Sequence, residues 1–217
     1  VPAAAVLATA ACFSETFALR HTSTFAGNAL AAYAGLRTID LLTRDDQAVV
    51  RGVAELGEVL RAGLRALQAD HPALISAVRG RGFMLGLELT ADPAAFGRQG
   101  LLASMAAQET LGVLLCSYLL HAEGIRLAPT LIGSRVLRVE PPLTATRAMI
   151  DGFLAALART FARLAACDSE ALLGHLAGRT TTKPLAPTPT LRRSVARPRA
   201  GDGRWGFVFH PLAARSY

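Results

Sequence analysis

Three hydroxyl side chains in succession, Thr22, Ser23 and Thr24, stand immediately ahead of the segment FAGNALAAYAGLRTIDLL. Short donors on a turn that leads into a helix have two uses. They can cap the helix's free N–H groups, or they can join adjacent backbone N–H groups in holding a phosphate-like dianion. A second group with recognisable chemistry is Arg138, in SRVLRVEPP. Its planar guanidinium can grip a carboxylate with two parallel hydrogen bonds, and Glu140 offers the alternative of a structural ion pair.

Other chemistries find no residues in the right pattern. Cys12, Cys116 and Cys167 are far apart, odd in number and without a C-x-x-C pair, which argues against a disulfide framework or a zinc site and fits a reducing, cytoplasmic compartment. His71, His121 and His175 lack metal-ligand spacing. His21 has no serine in a G-x-S-x-G context and reads as a positioning or packing residue. No G-x-x-x-x-G-K loop is present. The 217 residues hold a single lysine, Lys183, within TTTKPLAPTPT.

The net charge of +7 is unevenly distributed. Residues 168 to 217 carry eight of the 23 Arg and Lys and three of the 16 Asp and Glu, so the preceding 167 residues are nearly balanced. With no aromatic interleaving, this excess predicts no specific nucleic-acid partner. No apolar run reaches membrane-span length, and VPAAAVLATAACF lacks the basic start of a secretory leader.

The elements that must position these groups follow from hydrophobic period. Residues 1 to 9 read as the end of a buried strand or its exit loop. Asn28 to Leu42 reads as a helix with Asn28 as its cap. Val53, Leu56, Leu60, Leu64 and Leu67 then predict a long amphipathic helix over residues 47 to 69, ended by Pro72. Phe83, Leu85, Leu87 and Leu89 alternate with Met84, Gly86 and Glu88 and predict a strand with one buried face. Gly80, Gly82 and Gly86 read as turn or close-packing residues. Residues 99 to 111 predict a short helix, VLLCSYL a strand, and SRVLRVEPP another strand after a turn at Gly133 and Ser134. Met149, Ile150, Phe153, Leu157, Phe161 and Leu164 predict a closing helix from Thr146. Helices over one face of a small sheet make an α+β unit.

Three of these segments carry a family resemblance. HTSTFAGNALA resembles the HGSTFGGNPLA-type segment of the class III (omega) aminotransferases. VRGRGFMLGLEL is similar to the strand entering their small domain, and RVLRVEPPLTAT to their strand followed by a PPL-T segment. The resemblance covers about residues 1 to 165. It implies pyridoxal-phosphate fold type I, α/β to α+β: residues 1–70 as the terminal part of the cofactor-binding large domain with a long connecting helix, and residues 71–166 as the small C-terminal α+β domain. Residues 167–203 read from composition as a Pro/Thr/Arg-rich linker. Residues 204–217, with Trp205, Phe207 and Phe209 alternating, read as the start of a further domain, faintly similar to reductase-type domains, or as a docking arm.

The resemblance implies that Thr24, with Ser23 and nearby N–H groups, contacts the pyridoxal 5'-phosphate across a homodimer interface, and that Arg138 binds a substrate carboxylate. It implies a transaminase exchanging an amine between an amino donor and a ketone or aldehyde. Its cofactor-holding lysine lies upstream of a V-P-x-x-A-type strand that VPAAAVLA resembles. The chain is therefore expected to be a fragment without that lysine, unable to transaminate alone. A pyridoxal-phosphate aminomutase or decarboxylase relative, and a noncatalytic dimerising or scaffold module, are the alternatives.

Overall fold

The computed structural model describes residues 4, 5, 7, 9–12, 24–97, 100–130 and 135–178. Ser23, His21, the Gly133–Ser134 turn and the Trp205 segment lie outside them. So does most of the segment expected as a linker.

Helix α1, Ala29–Asp70, begins where the sequence predicts. Asn28 is extended, and its Oδ1 accepts from the Ala31 N–H at 3.0 Å. The helical ladder is broken once, at Arg44–Gln47, where Asp45, Asp46 and Gln47 take left-handed φ values of 53°, 52° and 57°. Ahead of the break the helix buries no residue fully. Behind it, Gly57, Leu60, Leu64 and Leu67 are buried at the spacing of one helical face.

Strands β1 (Ile75–Arg81) and β2 (Met84–Leu89) form an antiparallel hairpin with Gly82 and Phe83 between them. The alternation read from the sequence holds: Phe83, Leu85, Leu87 and Leu89 are all buried, while Met84 is 74% exposed. A 3-10 turn at Pro93–Phe96 leads to α2 (Leu101–Ala107) and α3 (Leu111–Tyr118), which a π-helical turn at Leu119–Glu123 extends. Strand β3 (Ala128–Pro129) is short, and β4 is Val136–Val139. The four strands order as β1-β2-β4-β3, every pairing antiparallel. Leu85 faces Val139 and Leu87 faces Leu137, so both central strands send their leucines and valine to one side.

Helix α4, Arg147–Ala165, is capped by the Thr146 hydroxyl. It buries Ile150, Leu157, Phe161 and Leu164 against α1 and the sheet's apolar face, forming one core. This is the expected α+β arrangement. A last helix, α5 (Ser169–Leu173), starts within the segment whose composition suggested a linker; its Leu172 is fully buried.

One strand expectation is corrected. VLLCSYL is helical, within α3 and the start of its π-helical extension, and not a strand. An uninterrupted apolar run has no period to distinguish a buried strand from a buried helix, and here Leu114, Leu115, Cys116, Tyr118 and Leu119 are enclosed on nearly all sides. Near the start, the described residues Ala4, Ala5, Leu7 and Thr9 are exposed, Leu7 at 98%, which agrees with the exit-loop alternative for residues 1 to 9.

Close packing of α1 on the hairpin turn explains one glycine and yields a signed test. A Cβ on Gly57 would lie 2.5 Å from the Gly82 Cα and 2.7 Å from its carbonyl carbon and oxygen, whereas one on Gly52 meets nothing within 4 Å. Gly52→Ala is therefore expected to raise stability by up to about 1 kcal/mol through helix propensity. Gly57→Ala should lower it by about 1–3 kcal/mol through overpacking. Denaturant midpoints of the two variants, measured side by side, check the opposite signs.

Candidate functional site

The residues singled out in the sequence fall in two places. Thr24 lies on the turn Thr24–Gly27, exposed, with the Asn28 N–H closing the turn onto the Phe25 carbonyl at 3.3 Å. Asn28 supplies the side-chain cap of α1. Thr24, four residues earlier, is not the capping residue, and its hydroxyl sits on a turn that precedes a helix N-terminus.

Arg138 lies on β4, where the sheet's period turns Leu137 and Val139 to the core and leaves Arg138 on the other side. Its Nε and Nη2 donate to the two carboxylate oxygens of Glu140 at 3.3 and 2.5 Å. This fork raises the guanidinium's already high pKa and holds the Glu140 carboxyl below the usual range, chiefly through the hydrogen bonds. Arg138 is about half exposed. Its present partner is thus a neighbour on its own strand, in the geometry that would suit any other carboxylate.

Beside Arg138 opens a cavity of about 600 Å³. Its walls are Leu60 of α1, Ile125 and Leu127 of the segment before β3, Val139 of β4, and Ile150 and Phe153 of α4. Its polar groups are Arg126, the Arg138–Glu140 pair, and Arg159, whose Nη2 donates to Glu123 at 2.6 Å. An apolar chamber edged by guanidinium groups suits a small molecule with a hydrocarbon body and an anionic end. Thr24 does not line it.

Sequence reasoning missed Arg126, Glu123 and Arg159. The one local signal was Gly124, which takes φ 70° and ends the helical turn so that the chain reverses into β3. Cys116 is buried, and burial pushes its thiol up to about 11, so it is no nucleophile at neutral pH. Among the described residues no group of three or more metal-ligating side chains occurs, and no single helix is long and apolar enough to cross a membrane.

Comparison with known proteins agrees with this architecture. The acetylornithine aminotransferase of Thermosynechococcus vestitus is 36% identical over 146 residues, 67% of this chain and 31% of that protein. The putrescine aminotransferase of Pectobacterium atrosepticum is 36% identical over 152 residues, 68% of this chain and 28% of that one. The chain thus spans less than a third of the length of these curated relatives. Among solved structures, an (S)-enantioselective omega-transaminase from Thermomicrobium roseum superposes with a TM-score of 0.51 at 26% identity, over 67% of this chain and 29% of its own. The adenosylmethionine-8-amino-7-oxononanoate aminotransferase of Methanocaldococcus jannaschii gives 0.50 at 26% identity, over 66% and 30%. The family model described as aminotransferase class-III matches residues 1–161, from before the Thr24 turn through β4 and most of α4. With that match spanning both the hydroxyl turn and the arginine strand, the chain belongs to the class III aminotransferases.

Proposed function

We propose that this chain supplies the phosphate-contacting turn and the carboxylate-binding arginine of a transaminase that passes an amino group between an amino donor and a ketone or aldehyde. The observation that carries this reading is the family match over residues 1–161, which contains Thr24 and Arg138 together.

Class III aminotransferases use pyridoxal phosphate, and the residues present fit one end of it. Thr24 offers a hydroxyl on a turn, beside the backbone N–H groups that lead into α1, and Asn28 already serves the cap. A phosphate dianion gains several short donors there. Ser23 is the second hydroxyl assigned to it. The cofactor, when bound, supplies an electron sink for the amino substrate's carbanion. Arg138 would orient a carboxylate-bearing substrate by exchanging its fork from Glu140 to the ligand, with the apolar cavity taking the hydrocarbon part. The holding amine is not among residues 1–161, because the sequence's single lysine is Lys183. Within the full-length gene product it is assigned to another stretch of chain.

A homodimer with a shared site belongs to the same reading. Phe25, Leu30, Leu36 and Ile39 are 81%, 55%, 62% and 57% exposed along the turn and the first half of α1. So many exposed apolar side chains in one segment suit coverage by a partner or by another stretch of the full-length chain. Free cysteines at 12, 116 and 167 support a cytoplasmic setting.

The experiment is cofactor retention by the full-length gene product, read by absorbance and borohydride incorporation after dialysis. Wild type should retain the cofactor, Thr24→Val should weaken retention roughly tenfold to a hundredfold, as loss of a charge-assisted hydrogen bond does, and Thr24→Ser should restore most of it. Retention unchanged in Thr24→Val would remove Thr24 from the site. A full-length wild type that retains no cofactor would overturn the transaminase reading in favour of a noncatalytic scaffold.

A further inference from the structure

Where α5 meets α3 the chain builds a compact cluster of titratable side chains that joins His175, beyond residues 1–161, to side chains within them. His175 lies just after α5, and its Nε2 sits 2.8 Å from the Ser117 Oγ of α3. Its ring stacks on that of His121, with centroids 5.1 Å apart and planes inclined by 22°. Tyr118 meets the same ring edge-on at 6.2 Å. His121 is fixed in turn, since its Nδ1–H donates to the Ser117 carbonyl at 2.8 Å. Leu172, one turn before His175, is fully buried.

One atom in this cluster is unsatisfied. The Nδ1 of His175 is enclosed and has no hydrogen-bond partner. A neutral imidazole tolerates this by leaving a lone pair there while Nε2–H donates to Ser117. An imidazolium is held less well, because the acceptor near its second N–H, the Leu172 carbonyl, lies outside good hydrogen-bonding geometry. It would also stack one cation on another whenever His121 is charged.

The surrounding charges do not relieve this. From α3 and its π-helical turn come Tyr118, His121 and Glu123; from α4, Arg159 and Arg163; from the cap of α5, Asp168. Glu123 is forked by Arg159, Arg163 lies over the Tyr118 ring at 5.8 Å, and the Asp168 carboxylate accepts from the Ala171 N–H as the cap. Burial first, then His121, holds the His175 imidazole below the usual histidine range, with the Leu172 carbonyl opposing them more weakly.

We propose that the stacked His121–His175 pair, tied through Ser117, is a pH-sensitive clasp that keeps α5 and the residues through Gly178 on the body at neutral pH and releases them under mildly acidic conditions. The sign follows from linkage. A histidine kept neutral in the folded state binds fewer protons than the same residue free, so the docked form is favoured above the ordinary histidine pKa of about 6.5 and loses ground as pH falls below it. Release uncovers Leu172 and frees the point from which the remainder of the chain departs.

Hydrogen exchange on the whole chain, corrected for the intrinsic pH dependence of amide exchange, tests this. Between pH 7.5 and 5.5 the amides of 171 to 177 should lose about tenfold in protection, while those of 157 to 164 in α4 keep theirs. His175→Gln places an amide near Nε2 without a titrating group and should make protection of 171 to 177 independent of pH. His121→Phe keeps a ring to stack on and should shrink the loss. Equal protection at both pH values in wild type, an equal loss throughout α4, or an undiminished loss in either variant would overturn the clasp.

Discussion

Phe161→Ala is expected to cost about 3–5 kcal/mol of stability, the range for truncating an enclosed aromatic. Phe161 is 0% exposed and lies on α4 between Leu157 and Leu164, both also fully enclosed. Its ring stands 6.0 Å from that of His71, the residue that ends α1. It therefore joins the end of one helix to the middle of another, and alanine leaves a void that two rigid helices cannot close. Met149 on the same helix is 54% exposed, so Met149→Ala should stay within about 0.5 kcal/mol. Urea midpoints at constant m value distinguish the two. Equal midpoints would mean that α4 is not docked as described.

The second large effect concerns turnover. On the proposed transaminase reading, Arg138→Ala in the full-length gene product should lower kcat/KM for a carboxylate-bearing amino donor by thirtyfold or more, the scale on which truncating one member of a hydrogen-bonded charge pair acts. An amine without a carboxylate should lose much less, since its transition state never engages the guanidinium. Arg138→Lys should recover only part, because an ammonium is a point charge and cannot reproduce the fork. The ratio between the two donors is the decisive quantity. A uniform loss on both would make Arg138 a structural partner of Glu140, to which it is already bonded at 2.5 Å.

Elements with a strong period were legible in the sequence. The leucines of α1 and α4 recur at helical spacing, Phe83 to Leu89 alternate, and Asn28 and Thr146 stand where caps are needed. Helix α3 was not legible, because a buried run with apolar residues on every side erases the period that would distinguish it. The break in α1 falls between the two helical segments read in the sequence, Asn28 to Leu42 and residues 47 to 69. Its conformation was not legible, because Arg44, Asp45, Asp46 and Gln47 contain neither glycine nor proline to mark three left-handed residues in succession. The hydroxyl turn and Arg138 could be picked out because each sits in a distinctive short segment. Arg126, Arg159 and Glu123 could not, since the cavity they edge is assembled from segments far apart in the chain.

The interruption at Arg44–Gln47 also sets how order is shared along α1. Left-handed residues cost roughly 1–2 kcal/mol each, and they cut the hydrogen-bonded ladder, so the core behind the break cannot nucleate the residues ahead of it. The leading segment, from Ala29 to Thr43, is then a short helix left to its own resources, at the length where isolated helices are marginal in water. Its helicity becomes a readout of whether its apolar side is covered. Fraying confined to residues 29 to 43, with 48 to 70 intact, would report an unassembled chain by spectroscopy alone, before any activity is measured.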